Sequence, residues 1–397
     1  MTEKETERKK ETVGSLEWLN RYEEELRDMR HELHRYPELA MQEQRTSQYI
    51  VQKLKEFEIP CRMTGETGVI AGLTAGEDLP VFVVRAEMDA LAIEEKTGLP
   101  FCSAYPGRMH ACGHDANTAV LLCLAHVLSR NREKLRYNVR FIFEPAEETG
   151  EGAQFMLDHG ALENPCPAGI LIFHFANQET RAMEIQKSIS TAAIGGLRVE
   201  IKGKASHFFQ YEEGIDAMYA ASRLVVAVRE INDTFLGEHP FVLAFGCMQA
   251  GAGRNIVSDH AVLEGSLRTF SKKDFQGILA VLEKRIKEIE ADTGAEIHLE
   301  VTGEIPPFVN DHALVEKGMP IGRKLFGDKC YLGEKPFLAA DNAALYAEIV
   351  PGMRVVFLAG KEGEQAYPVH NPRFDIDEAV MLDAVKFLFA FLTKDGE

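Results

Sequence analysis

Two kinds of hydrophobic pattern alternate along this chain. A helical spacing of apolar residues runs from residue 16 to about residue 57 and is interrupted at Pro37. Four later segments are continuous apolar runs, at residues 80–85, 139–143, 170–173 and 354–358. Runs of this kind are typical of strands that a parallel sheet buries on both faces. Because helical patterns at 118–128 and 376–392 separate them, we predict an α/β fold with a mostly parallel sheet.

The pattern changes in the middle of the chain. Residues 197–202 alternate between apolar and polar side chains, as an antiparallel strand with one solvated face does. The candidates that follow are helices at 217–235 and 275–289 and strands at 241–246 and 261–268. Ser271 and Asp274 are predicted to cap the second helix. The middle region is therefore predicted to be a compact α+β unit.

A chain of 397 residues exceeds one ordinary hydrophobic core, so two domains are expected. We assign residues 12–187 and 304–397 to a discontinuous α/β domain. Residues 188–303 are assigned to the α+β unit, which is inserted into it.

Composition limits the kinds of binding partner and the cellular compartment that we expect for this protein. The formal charge of −18 disfavours nucleic acid and anionic membranes as partners, and no segment is long and apolar enough to cross a membrane. Seven scattered cysteines favour a reducing cytoplasm over a disulfide framework. Residues 1–10 lack the apolar core of a secretory signal and are predicted to form a solvated tail. These features predict a cytoplasmic protein.

The first candidate chemistry lies in the segment Met-His-Ala-Cys-Gly-His-Asp at 109–115. Cys112 and His114, two residues apart, can point the same way from an extended loop, and both suit a metal such as zinc. Gly107 and Gly113 allow the backbone to turn tightly on either side. Taken alone the pair is a weak signal, because buried cysteines and histidines are common.

An acidic pair gives a stronger signal. Glu147 and Glu148 follow the apolar run 139–143, and ligands of open α/β sheets bind at the carboxyl ends of strands. One glutamate can hold a metal while its neighbour accepts a proton from water. The pair alone would also fit an acidic helix N-terminus, which the helix dipole favours.

Two histidines complete the pattern. His174 follows the run 170–173, and His370 lies in a proline-flanked loop after the run 354–358. Either one alone would be an ordinary histidine. Four separate loops nevertheless each carry a metal-competent side chain, three of them just past apolar strands, and packing hardly explains that conjunction.

The ordered set of motifs resembles the aminoacylase/carboxypeptidase-type family of two-metal amidohydrolases, which includes N-acyl-amino-acid, hippurate and auxin-conjugate hydrolases. The resemblance extends over nearly the whole chain. It is carried by His-Glu-Leu-His-Arg-Tyr-Pro-Glu-Leu at 31–39, Arg-Ala-Glu-Met-Asp-Ala-Leu at 85–91, the 109–115 motif, Pro-Ala-Glu-Glu at 145–148, Gly-Lys-Ala-Ser-His at 203–207, Gly-Arg-Asn-Ile-Val at 253–257 and Gly-Ser-Leu-Arg-Thr at 265–269.

The resemblance implies a function and a set of site residues. It implies metal-dependent hydrolysis of N-acyl amino acids or similar small amides, with two divalent ions per subunit. The implied metal ligands are Cys112, His114, Glu148, His174 and His370. Glu147 is the implied general base, His207 the implied oxyanion donor, and Asn255 and Arg268 the implied substrate-carboxylate ligands. The inserted unit corresponds to the family's lid, through which many members form homodimers.

The ion and the activity have alternatives. Thiolate and imidazole ligands favour zinc, while the carboxylates also suit manganese, and cobalt or nickel are possible. Rival activities are a dipeptidase or carboxypeptidase of the same superfamily, an inactive binding or regulatory homologue, and an amidase with Cys112 as nucleophile. The last rival leaves Glu148, His174 and His370 without a role.

The chain also departs from the family pattern. Glu87 stands where relatives usually have Asp, and Asn117 lies where they commonly have His. Asn177 replaces part of a proline-containing run, and Asn342 lies where an acidic-aromatic motif is common. None of these departures removes an implied ligand, so they limit the prediction of substrate more than that of mechanism.

Overall fold

The computed structural model describes residues 16–396, so the predicted N-terminal tail lies outside the described residues. Fourteen strands lie within this part of the chain. They are β1 (Cys61–Thr64), β2 (Gly68–Leu73), β3 (Val81–Glu87), β4 (Asn138–Glu144), β5 (Gly169–Ala176), β6 (Ala182–Gln186), β7 (Ile189–Thr191), β8 (Ala193–Lys202), β9 (Phe241–Ala250), β10 (His260–Thr269), β11 (Glu296–Ile305), β12 (Phe308–Val309), β13 (Cys330–Gly333) and β14 (Gly352–Leu358).

The helices of the described residues are of two kinds. The α-helices are α1 (Glu23–Arg35), α2 (Gln44–Glu56), α3 (His114–Ser129), α4 (Gly152–Asp158), α5 (Ala217–Thr234), α6 (Lys272–Thr293), α7 (His312–Phe326), α8 (Ala344–Ala347) and α9 (Ala379–Leu392). Short 3₁₀ helices are Glu17–Tyr22, Arg132–Lys134, Phe208–Glu213, Gly327–Lys329 and Lys394–Gly396. None of the helices in residues 16–396 is both long and apolar enough to cross a membrane.

Contacts divide the chain into two units. Within the described residues, the first comprises 16–188, 309–335 and 345–396, and the second comprises 189–308 and 336–344. The sequence-based division placed 336–344 in the α/β domain. In the structure this segment packs with the inserted unit, where the Ala192 amide donates to the Ala339 carbonyl oxygen at 2.9 Å.

An eight-stranded mixed sheet forms the core of the first unit. Its strand order is β1-β2-β4-β3-β5-β14-β6-β13, and the four central strands β4, β3, β5 and β14 are parallel. Antiparallel pairing is confined to the flanks, in β1 with β2, β2 with β4, and β6 with β14. The mostly parallel α/β fold predicted from the sequence is confirmed.

The four apolar runs are those central strands, since each is buried on both faces. Helix α3 is buried along almost its whole length, which explains its nearly continuous apolar sequence. The flanking strands β1, β2, β6 and β13 and helix α7 were not predicted. Their patterns are short or interrupted, and their positions depend on pairing with strands distant in sequence.

The second unit is a four-stranded antiparallel sheet, in the order β11-β8-β10-β9, with helices α5 and α6. Strand β8 alternates between buried and more exposed positions, which is the pattern predicted for it. The predicted cap of α6 is confirmed for Ser271, whose Oγ accepts a hydrogen bond from the Asp274 amide at 3.2 Å. The Asp274 carboxylate does not cap the helix, because it accepts from the amides of Glu238 and His239.

Candidate metal centre

Cys112 and His114 lie at the point where the chain enters α3. Gly113 between them has a φ of 91°, a left-handed conformation that glycine adopts without the steric cost of a Cβ. The partly buried Cys112 therefore precedes a sharp turn, and His114 is the first, fully buried residue of the helix. Gly113 therefore makes the tight turn that the sequence predicted for it.

His114 is oriented by Asp89. Its Nδ1 lies 3.1 Å from Asp89 Oδ1 and 3.0 Å from the Asp89 carbonyl oxygen. Both neighbours are acceptors, so Nδ1 carries the hydrogen and Nε2 is the atom that can bind a metal. The other carboxylate oxygen of Asp89 accepts from the Glu148 amide at 3.0 Å. One carboxylate thereby aligns two predicted ligands.

Glu147 and Glu148 lie in a tight loop after β4. Ala146, just before them, is fully buried and has a φ of 54°, which is unusual for a residue with a Cβ. The loop closes through hydrogen bonds from the Gly150 amide to the Glu147 carbonyl and from the Gly152 amide to the Ala146 carbonyl. The predicted acidic pair is therefore held by a folded loop.

His174 lies within β5, two residues before the strand ends at Ala176, rather than directly after it as the sequence suggested. The apolar run ends at Phe173, but pairing with β14 continues to Ala176. The His174 Nε2 lies 3.6 Å from the Cys112 Sγ. The structure therefore brings β5 and the 109–115 segment together at the site.

His370 approaches from the loop that follows β14. Its φ is 67°, and its amide donates to the Ala111 carbonyl oxygen at 2.7 Å, which ties this loop to the Cys112 segment. The His370 Nε2 lies 3.3 Å from Glu148 Oε2. Strained backbone of this kind is concentrated at functional sites, and here it occurs at both His370 and Ala146.

The donor atoms of these residues form overlapping groups whose members lie within 4.8 Å of one another. The groups are Cys112 with His114 and His174, Cys112 with Glu148 and His370, and His114 with Glu147 and Glu148. Two of the donors, His114 Nε2 and Glu148 Oε1, are fully buried, have no hydrogen-bond partner among the described residues, and lie 3.9 Å apart. Buried polar atoms are normally satisfied, so this thiol, imidazole and carboxylate set fits divalent metal ions.

Burial is the largest influence on the pKa values in the cluster. Burial raises the pKa of the Cys112 thiol above its usual range, and Glu148 and Glu147 raise it further. Burial also raises the pKa of Glu148, but its hydrogen bond to His370 and the charges of His114 and His370 outweigh this and lower it to about 2. A bound cation would stabilise the thiolate that a metal site requires.

Three predicted site residues belong to the second unit. The His207 Nδ1 accepts a hydrogen bond from the Phe209 amide at 3.3 Å, and its Nε2 lies 3.4 Å from the Asn255 Nδ2. His207 and Asn255 are therefore neighbours. Arg268, on β10, donates from Nη1 to the Leu338 carbonyl oxygen at 2.8 Å.

The residues that depart from the family pattern are all buried or hydrogen-bonded in the structure. The buried side chains of Glu87 and Asn117 touch each other, with Asn117 Nδ2 donating to Glu87 Oε2 at 2.8 Å. Asn177 donates to the carbonyl oxygens of Tyr367 and Asp375, which flank the His370 loop. Asn342 is fully buried, in the segment that packs with the second unit.

Sequence reasoning missed a supporting network beneath the ligands. Arg85 Nε and Nη2 donate to both carboxylate oxygens of Glu144, at 2.9 and 2.6 Å, and Nη1 pairs with Glu87. The Tyr346 hydroxyl also donates to Glu144, at 2.6 Å. Asp89 was missed as well, although its position just past β3 follows the strand-end rule that identified Glu147.

Comparisons with known proteins agree with this geometry. N-acetyl-L-cysteine deacetylase of Bacillus subtilis is 32% identical, covering 94% of this chain and 88% of the relative. Hippurate hydrolase of Campylobacter jejuni is 28% identical, covering 91% and 94%. A crystal structure from Bacillus subtilis, described as a dinuclear metal-binding peptidase of the M20 family, superposes with a TM-score of 0.80 at 30% identity and covers 94% and 98%.

The sequence profile of peptidase family M20/M25/M40 matches residues 83–394, which include all five predicted ligands and the acidic pair. The resemblance read from the motifs is thereby confirmed. The chain belongs to peptidase family M20/M25/M40.

Proposed function

We propose that this protein is an amidohydrolase that cleaves N-acyl amino acids into a carboxylic acid and an amino acid. One observation carries the proposal: donor side chains from four separate chain segments converge, and two of their buried atoms have no hydrogen-bond partner among the described residues. Cys112, His114, Glu148, His174 and His370 hold two divalent ions in this proposal. The family assignment supports the same chemistry.

The residues around the ions have separate tasks. Bound divalent ions supply Lewis acidity, which lowers the pKa of a water molecule and polarises the amide carbonyl. Glu147 takes the proton from the attacking water and later delivers it to the leaving amine. Its carboxylate is the one member of the acidic pair not assigned as a ligand, and it lies within 4.8 Å of the donor atoms of His114 and Glu148.

Zinc is the first choice of ion, and manganese the second. The Cys112 thiolate and the imidazoles are ligands that zinc prefers, whereas carboxylates such as Glu148 also suit manganese. Cobalt or nickel would fit the same donors. Elemental analysis of protein purified without added metal identifies the resident ion.

The second unit is proposed to supply the substrate contacts. His207 donates a hydrogen bond to the oxyanion, and its contact with Asn255 supports a joint role. Arg268 has guanidinium N–H groups beyond the one directed to Leu338, and its planar fork suits a substrate carboxylate. Arg268→Lys should raise KM for N-acyl amino acids more than it lowers kcat.

We also propose a cytoplasmic homodimer that forms through the second unit. Strand β9 is an edge of its sheet and bears exposed side chains such as Met248. Helix α5 exposes Tyr219 and Val226 as well, so apolar surface is available for a partner. Light scattering should give twice the chain mass, and Val226→Glu should lower it toward one chain.

A substrate screen tests the central proposal. Purified protein is assayed with acetyl, benzoyl and longer acyl amino acids and with dipeptides, before and after chelation and again after metal is returned. We expect hydrolysis of at least one N-acyl amino acid, its loss on chelation and its recovery with metal. Turnover of dipeptides alone would identify a dipeptidase, and no turnover with any ion would favour a binding protein.

A further inference from the structure

One buried carboxyl near the centre belongs to neither the ligands nor the proposed base. Glu43 immediately precedes α2 and is fully buried. Its side chain makes no cap hydrogen bond to its own helix. That task falls to Glu38, whose carboxylate accepts from the amides of Arg45 and Thr46 at 3.2 and 2.8 Å. The buried carboxyl is therefore available for a different contact.

That contact is with the loop that carries the acidic pair. Glu43 Oε1 accepts a hydrogen bond from the Ala146 amide at 2.9 Å, across 103 positions of sequence. Ala146 is the residue with the left-handed backbone, a conformation that costs energy for any residue with a Cβ. Glu43 thus holds a strained peptide directly before Glu147 and Glu148.

We propose that Glu43 is a positioning residue, which acts through the Ala146 amide to aim Glu147 and Glu148 at the centre. The test of this inference by kcat and KM rests on the proposed function. The direction of a side chain depends on the backbone that carries it, so a relaxed Ala146 would turn both glutamates. Displacement of a catalytic group by about 1 Å can cost on the order of a hundredfold in rate.

Glu43 does not form an ion pair with a cationic side chain among the described residues. Among the described residues no Lys or Arg pairs with it, and its second oxygen, Oε2, is buried without a hydrogen-bond partner. Burial raises the pKa of Glu43 to about 7, and the charge of Asp89 adds to this. Because only an acceptor oxygen is needed, a neutral amide should serve nearly as well as the carboxyl.

The first experiment compares Glu43→Ala with Glu43→Gln. Glu43→Ala removes the acceptor, so kcat should fall tenfold or more while KM stays within about twofold. Glu43→Gln keeps an acceptor oxygen and should remain within about threefold of wild-type kcat. Equal losses in the two variants, or a wild-type kcat in Glu43→Ala, would overturn the proposal.

Two further variants distinguish an effect of Glu43 on the position of the acidic pair from an effect on stability. Glycine tolerates a positive φ, so adding Ala146→Gly to Glu43→Ala should restore kcat severalfold. Glu38→Ala removes the cap of the same helix without touching the loop, so it should lower the thermal midpoint and leave kcat unchanged. A rescue that fails, or a kcat loss in Glu38→Ala equal to that in Glu43→Ala, contradicts an action through Ala146.

Metal binding tests the role of Glu43 independently of the proposed function, because it requires no turnover. Co²⁺ is titrated into apoprotein and followed by its visible absorption, which reports ligand geometry at Glu148. Glu43→Ala should weaken Co²⁺ binding or alter the spectrum, and Glu43→Gln should match wild type. If the wild type hydrolyses no amide, the proposed function fails, while a Glu43→Ala spectrum identical to wild type would still refute the role of Glu43.

Discussion

Two groups of polar side chains lie close together in the first unit and differ in how they are satisfied. The proposed ligands, called the ligand cluster, are Cys112, His114, Glu148, His174 and His370, and two of their buried atoms have no hydrogen-bond partner among the described residues. The Arg85 network is Arg85, Glu87, Glu144 and Tyr346, joined by Asn117, which donates to Glu87 while its own Oδ1 has no hydrogen-bond partner among the described residues. Its guanidinium faces two buried carboxylates, each of which has a further polar partner.

The difference separates function from support. Buried polar atoms without partners cost stability, and where such atoms belong to a group of metal-competent side chains the arrangement fits a bound cation. A buried charge with complete partners is neutralised where it stands and can hold neighbouring backbone in place. Glu144 shows the link, since it ends β4 and leads directly into the loop of Glu147 and Glu148.

The largest effect is expected on kcat, at the proposed general base Glu147. Glu147→Gln removes the proposed base but no ligand, so kcat should fall by about two to four orders of magnitude, the range that general-base catalysis supplies. Metal content, measured by elemental analysis, should remain near wild type. Near-wild-type turnover would mean that another group accepts the proton.

Breaking the Arg85 network should act on stability. Arg85→Met leaves Glu144 and Glu87 buried without a positive partner, which costs about 3–5 kcal/mol, and thermal unfolding should show it. Arg27→Met is the matched control, because Arg27 pairs with Glu23 at the surface and such pairs contribute about 0–1 kcal/mol. Similar midpoints for the two variants would refute the contrast.

A smaller effect should follow loss of the contact between the two family departures. Asn117→Ala leaves Glu87 Oε2 without its amide donor, at a cost of about 1–3 kcal/mol. Asn131→Ala removes an amide-to-carbonyl hydrogen bond at the far, less buried end of α3 and should cost less. Denaturant unfolding of both variants checks this order, and a larger loss at Asn131 would reverse it.

A pH dependence is expected at another buried group, His34. Burial lowers the pKa of His34, but Asp115 and Glu95 outweigh it and, against the charge of Arg30, raise it to about 9. A folded-state pKa above the unfolded value stabilises fully below about pH 6.5, and this contribution is lost as pH rises through about 9. The thermal midpoint of wild type should therefore fall more than that of His34→Gln between pH 6 and 9.5. Parallel curves would show that His34 is neutral when folded.

Much of the fold was predictable because the central strands are buried on both faces. Residues 81–84 and 141–143 are apolar without interruption, which a strand with one solvated face would not show, so the sequence indicated strands of a parallel sheet. The flanking strands carry no such signal. Residues 61–64 are mostly exposed and become a strand only through pairing with β2.

Three of the five predicted ligands first stood out by their position after apolar runs, and the resemblance to the family implied the full set. Parallel strands end at one edge of a sheet, so polar residues just past them converge whatever their separation in sequence. Glu148, His174 and His370 were identified in this way. No local pattern marks Glu43 or Arg85 as supports, because a lone charged residue in a sequence does not reveal what it faces.

The sequence by itself therefore determined which side chains could bind metal, because donor type and strand-end position are both local properties. Only the tertiary structure decided how they are held. Ala146 has a left-handed backbone and its amide is held by the distant Glu43, and Glu87 meets Asn117 across 30 positions of sequence. Such pairings depend on packing between elements, and packing is a property of the folded chain.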